Sequence, residues 1–146
     1  MTTSLQEVGL AVKRLQWRPH RAANARLAEL GISLVQWDVL RHLSREPEAS
    51  LHHLAVLTFQ TDQSTGALAA RMIKRGLIDR VQGPGRAVRH RLTERGEEVR
   101  QSGSDLMDAV LEQSFGALSP AQLDQLHALL TLTEPVADAP EPEDTP

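Results

Sequence analysis

Apolar residues recur every three or four positions along most of this chain, a spacing that predicts helices separated by short polar breaks. Leu5, Val8, Val12 and Leu15 share one face of a first helix. Pro19 removes one helical hydrogen bond and crowds the preceding turn, so a kink or restart is expected near Arg18. The pattern resumes through Ala22, Ala23, Leu27 and Leu30, and Gly31 suits a helix stop. Ser33 with Gln36 three residues on is a capping-box signature; it opens a helix burying Val35, Val39, Leu40 and Leu43, with Trp37 as a core or pocket residue. Pro47 ends that segment.

Ser50 is the next cap, before a short helix with Leu51, Leu54, Ala55 and Leu57. Phe59 and Gln60 turn the chain. Thr61 or Asp62 then caps a helix with Leu68, Ala69, Met72 and Ile73 inward, and Gly76 closes it. Two helices joined by so short a turn have helix-turn-helix organisation. Residues 77–81 and 87–92 read as strands around the turn Gly83-Pro84-Gly85. Thr93 caps a long helix with Glu94, Glu97 and Glu98 early, where the helix dipole favours negative charge. Val99, Leu106, Val110 and Leu111 mark its apolar side, and Gly103 weakens its middle by about 1 kcal/mol relative to Ala. Ser119-Pro120 starts a last helix with Leu123, Leu126, Leu129, Leu130 and Leu132 on its apolar side. From Glu134 onward five acids, four prolines and no aromatics predict a disordered tail. The fold class is therefore mainly α with one small β-hairpin.

Charge changes this picture. The net charge is −3, yet residues 1–100 hold all sixteen Lys/Arg against ten Asp/Glu, and residues 101–146 hold nine acids and no Lys/Arg. Between Arg71 and Arg91 seven cations face one acid, Asp79. A helix followed by a basic hairpin is a shape that can grip a DNA duplex. Gln63, Ser64 and Thr65 at the polar start of the second helix-turn-helix helix suit base edges. Gly66 suits close approach to the duplex. Asp62 and Ser64 could instead only cap the helix. Lys74 and Arg75 suit the helix dipole as well as phosphates. Arg86, Arg89 and Arg91 on the hairpin suit phosphates or a narrow minor groove, with Arg89 and Arg91 on one strand face and His90 on the other.

Other chemistries find little support. With no cysteine, disulfides, thiol sensing and Cys-ligated zinc are excluded within this chain. The six histidines show no metal-ligand spacing, so no metal and no cofactor is expected. There is no phosphate loop, nucleophile elbow or HExxH, so no enzyme is expected. No apolar run near 20 residues occurs, so a soluble cytoplasmic protein without membrane contact is expected.

The order of elements resembles the MarR family of winged helix-turn-helix transcription regulators. The resemblance is carried by Gly31-Ile32-Ser33-Leu34 with Gln36-Trp37, by Arg75-Gly76-Leu77-Ile78-Asp79-Arg80, and by Arg86 with Leu92-Thr93-Glu94-Arg95-Gly96. Two positions depart from the family pattern. Pro84 stands where an Asp usually braces the wing arginine, and His90 where Val is usual. The resemblance implies an N-terminal dimerisation helix over 5–31 and a winged helix-turn-helix over 32–93. Dimerisation helices over 94–133 and the acidic tail over 134–146 complete the division. It further implies a homodimer on a pseudo-palindromic double-stranded DNA operator, acting as a repressor released by a small aromatic or phenolic effector. Trp17, His20, Arg21 and Trp37 are candidate effector contacts, since aromatic walls and a cation suit such anions. The competing reading is a winged helix used for protein contact, or a non-specific architectural DNA binder.

Overall fold

The computed structural model describes residues 2–83, 85 and 87–133. The expected tail over 134–146, and Pro84 and Arg86 of the hairpin, lie outside the described residues.

Among the described residues six α-helices and one hairpin follow in chain order: α1 Leu5–Leu27, α2 Leu34–Arg45, α3 Leu51–Leu57, α4 Asp62–Lys74, β1 Ile78–Arg80, β2 His90–Leu92, α5 Glu94–Phe115 and α6 Pro120–Leu132. All six helices start at a hydroxyl cap accepting from a backbone N–H three residues on. Full capping boxes occur at Ser4/Glu7, Ser33/Gln36 and Ser119/Gln122. Thr61, rather than Asp62, caps α4.

No restart occurs at Pro19: α1 runs through it as one helix. Proline costs the helix one hydrogen bond and crowds the preceding turn, a cost that the packing of α1 along α5 offsets. A short 3-10 turn, Ala28–Leu30, then leads into Gly31 at φ 73°, a left-handed conformation that closes the helix.

The core is one cluster joining all these elements except α6. Leu27 of α1, Leu40 and Leu43 of α2, Leu54 of α3, Met72 of α4, Ile78 of β1 and Val99 of α5 are buried in it. Ile73 does not join them; it is exposed on α4. The hairpin pairs Ile78 with Leu92, Asp79 with Arg91 and Arg80 with His90. Both strands are shorter than expected, although Val81 N–H still donates across the hairpin to the Arg89 carbonyl at 3.0 Å. Ser50 adds a third, edge pairing opposite Arg89, and Leu51 N–H donates to the Val88 carbonyl at 2.8 Å. The segment before α3 thus docks the base of the hairpin onto the helix-turn-helix.

The ends of the molecule are different. Leu5, Val8, Val12 and Trp17 of α1 and Leu123, Leu129, Leu130 and Leu132 of α6 are exposed, and α6 buries no residue. No described helix is long and apolar enough to cross a membrane.

Candidate nucleic-acid interface

α3 and α4 meet at a turn where Phe59 adopts a left-handed backbone (φ 56°) and projects almost wholly into solvent. Helical phase decides what α4 presents. Leu68, Ala69 and Met72 face inward, and Thr65 shares their face. Thr65 is 2% exposed and its hydroxyl donates to the Thr61 carbonyl at 2.9 Å. The expectation that Thr65 touches DNA is therefore corrected: its side chain is part of the core. Gly66 also turns inward, towards Leu51 of α3, rather than outward.

Gln63 is exposed, and Ala67, Ala70, Arg71 and Lys74 lie along the same outward stripe. The two alanines are short, so Gln63, Arg71 and Lys74 stand proud of the helix. Ser64 is exposed, but its hydroxyl donates to Gln60 Oε1 at 3.3 Å. Asp62 is paired with His52 Nδ1 at 2.9 Å, which ties the start of α4 to α3. Asp62 thus serves the helix pair first.

Three expected phosphate-binding arginines are engaged elsewhere. The Arg75 guanidinium donates to the Gly31 carbonyl, bracing α4 against the turn after α1. Arg89 Nη1 donates to the Glu48 carbonyl at 2.7 Å, and Arg91 Nη2 binds the Glu48 carboxylate. The alternation placing Arg89 and Arg91 on one strand face holds, and that face meets Glu48. Arg86 lies outside the described residues.

His90 occupies the opposite face and is buried, with Nδ1 unpartnered among the described residues. Burial, reinforced by the Arg80 charge, lowers its pKa from the ordinary imidazole value, favouring the neutral ring.

The four candidate effector residues are not brought together. Trp17 is 58% exposed with Arg21 stacked on its ring at 4.8 Å. His20 lines a separate apolar cleft of about 440 Å³ with Leu34, Met107, Phe115 and Leu130. Trp37 is buried; its Nε1 donates to the Arg100 carbonyl at 3.2 Å and Arg41 stacks on its ring at 5.3 Å. Its edge lines another concavity of about 300 Å³ with Arg45, Arg100 and Asp108. Within one protomer His20 and Trp37 therefore line separate concavities. No cluster of three or more metal-ligating side chains occurs among the described residues.

Sequence reasoning missed Arg71, Glu48 and His52. Arg71 could have been found by phase, since it lies eight residues after Gln63. Glu48 gave no local signal.

A family profile described as MarR family matches residues 30–87, from the turn after α1 to the hairpin. Residues 30–87 are thus similar to the winged helix of the MarR family. Solved structures extend the likeness over the whole fold. A MarR-family transcriptional regulator from Rhodococcus sp. RHA1 superposes with TM-score 0.82 at 19% identity, covering 92% of this chain and 100% of that one. A mutant MarR from E. coli complexed with operator DNA gives 0.78 at 18% identity, covering 91% and 100%. A Mycobacterium tuberculosis MarR-family protein in complex with salicylic acid gives 0.71 at 22% identity, covering 90% and 96%. Comparison with curated proteins finds no match. The chain thus has the fold of the MarR-family transcriptional regulators, mainly helical with a two-stranded wing.

Proposed function

We propose that this MarR-like chain is a sequence-specific double-stranded DNA-binding regulator, acting as a homodimer on a pseudo-palindromic operator. The observation that carries the reading is the outward stripe of α4. Gln63, Arg71 and Lys74 project from a helix whose opposite face is core, beside a basic hairpin in a chain of net charge −3. Glutamine can read adenine bidentately and arginine guanine, while lysine neutralises phosphate. The E. coli relative complexed with operator DNA supports the same use of the fold. Apolar faces left open on α1 and α6 support a second copy as partner, which would set two recognition helices about one DNA turn apart.

Repression with release by a small aromatic acid is the finer reading, supported by the relative in complex with salicylic acid. The apolar cleft holding His20 is one candidate seat.

Selection of bound genomic fragments tests this directly, followed by salt titration on the selected and scrambled duplexes. A regulator binds the selected duplex about 10³-fold or more tightly than the scrambled one. Equal affinity for both means an architectural binder, and no binding to either means a protein-contact module. Salicylate added to the preformed complex should release the duplex.

A further inference from the structure

We propose that the Glu48 carboxylate is an intramolecular stand-in for DNA phosphate, competing with the duplex for Arg91 and so restraining sequence-independent binding. The inference rests on the DNA-binding reading above.

Three observations converge on Glu48. Its carboxylate binds the Arg91 guanidinium, and its carbonyl accepts from Arg89 at 2.7 Å, so one residue holds both wing-strand arginines. Its backbone is left-handed at φ 63°, a conformation uncommon for a non-glycine residue and more readily adopted by glycine or asparagine. Neither of those residues could present a charge to Arg91. Finally, the neighbouring segment is fixed to the wing by the Ser50–Arg89 bridge and the Leu51-to-Val88 hydrogen bond, so Glu48 is held at the wing's edge.

A guanidinium donates to carboxylate and phosphate oxygens with the same fork geometry. The Glu48–Arg91 pair is open to solvent, with side chains 42% and 61% exposed. An exposed pair of this kind is weak enough for a phosphate to displace. Arg91 is therefore held in reserve. A passing duplex gains its charge only by breaking the pair, and the freed carboxylate then repels the same backbone. Arg89 is held differently. Its acceptor is a main-chain carbonyl, which survives any substitution of the Glu48 side chain.

The test is a double-substitution cycle in the full chain. It compares wild type, Glu48→Gln, Arg91→Ala and both together, each checked for native helicity, on a scrambled duplex at 0.05–0.2 M salt. Glu48→Gln should raise affinity by up to about fivefold per protomer, with the gain shrinking as salt rises. In the Arg91→Ala background the same change should give a clearly smaller gain, only that from the removed repulsion. Three results overturn the proposal: no gain from Glu48→Gln, a loss of affinity, or an equal gain with Arg91 absent, which marks a general charge effect. If Arg91→Ala weakens binding while Glu48→Gln leaves it unchanged, this inference fails and the DNA-binding reading stands. If wild type binds no duplex, both fall.

Discussion

The indole of Trp37 on α2 lies directly against the main chain of Gly103 on α5. A β-carbon at position 103 would stand 2.8 Å from Trp37 Nε1 and closer still to its neighbouring ring carbon. The ring cannot retreat easily, because Nε1 is bonded to the Arg100 carbonyl three residues earlier on the same helix. The glycine that looked like a weakness in the helix is the seat of a core tryptophan.

Two opposed effects meet in Gly103→Ala. Helix propensity favours alanine by about 1 kcal/mol. Overpacking against a rigid ring costs about 1–3 kcal/mol, and the Arg100 bond is strained with it. The clash should win, with a net loss of up to about 2 kcal/mol in urea unfolding. A gain in stability would show that α2 and α5 can separate without cost.

The open apolar faces of α1 and α6 predict association. Sedimentation at micromolar concentration should give about twice the 16.1 kDa chain mass. Leu129 is exposed in the protomer, so Leu129→Glu should leave its core intact while shifting the population to monomer. A wild-type monomer at that concentration would remove the dimer and the palindromic operator with it.

Legibility followed distance along the chain. The caps at Ser33, Ser50 and Thr93 were readable because cap and partner lie within one turn. The inward face of Thr65 was also encoded, since it precedes Leu68, Ala69 and Met72 by three, four and seven residues. Its hydroxyl disguised a core position as a polar one. Pro19 could not be judged locally, because α5, some eighty residues later, supports α1. The Glu48 contacts to Arg89 and Arg91 span more than forty residues and carry no local pattern. The separate concavities of His20 and Trp37 depend on helix-to-helix geometry, which periodicity does not contain.

His90 predicts a pH dependence with a definite sign. Its folded pKa lies below the ordinary value of 6.5, so between the two the unfolded chain binds more protons. Stability is full above 6.5, falls as pH drops towards the folded pKa, and then levels. Partly buried His42 is shifted the same way by burial and by Arg41. His90→Val removes both the titration and an unpartnered buried nitrogen. Its melting temperature should rise relative to wild type, more at pH 5.5 than at pH 7.5. An equal change at both values would place the acid sensitivity elsewhere.

The outward stripe of α4 makes the last prediction, separating base reading from charge and from core. Gln63→Ala should cost about 1–3 kcal/mol on the selected operator and relax preference at one base pair per half-site. Its salt slope should stay unchanged, because an amide releases no counterion. Lys74→Ala should weaken operator and scrambled duplex alike and flatten the slope by about 0.9 per lost phosphate contact. Thr65→Val should do neither. It removes the bond to Thr61, costing about 1 kcal/mol of stability, and leaves sequence preference intact because the side chain faces the core. A change of base preference in Thr65→Val, with none in Gln63→Ala, would mean that α4 meets DNA on a different face and that the helix rotates on binding.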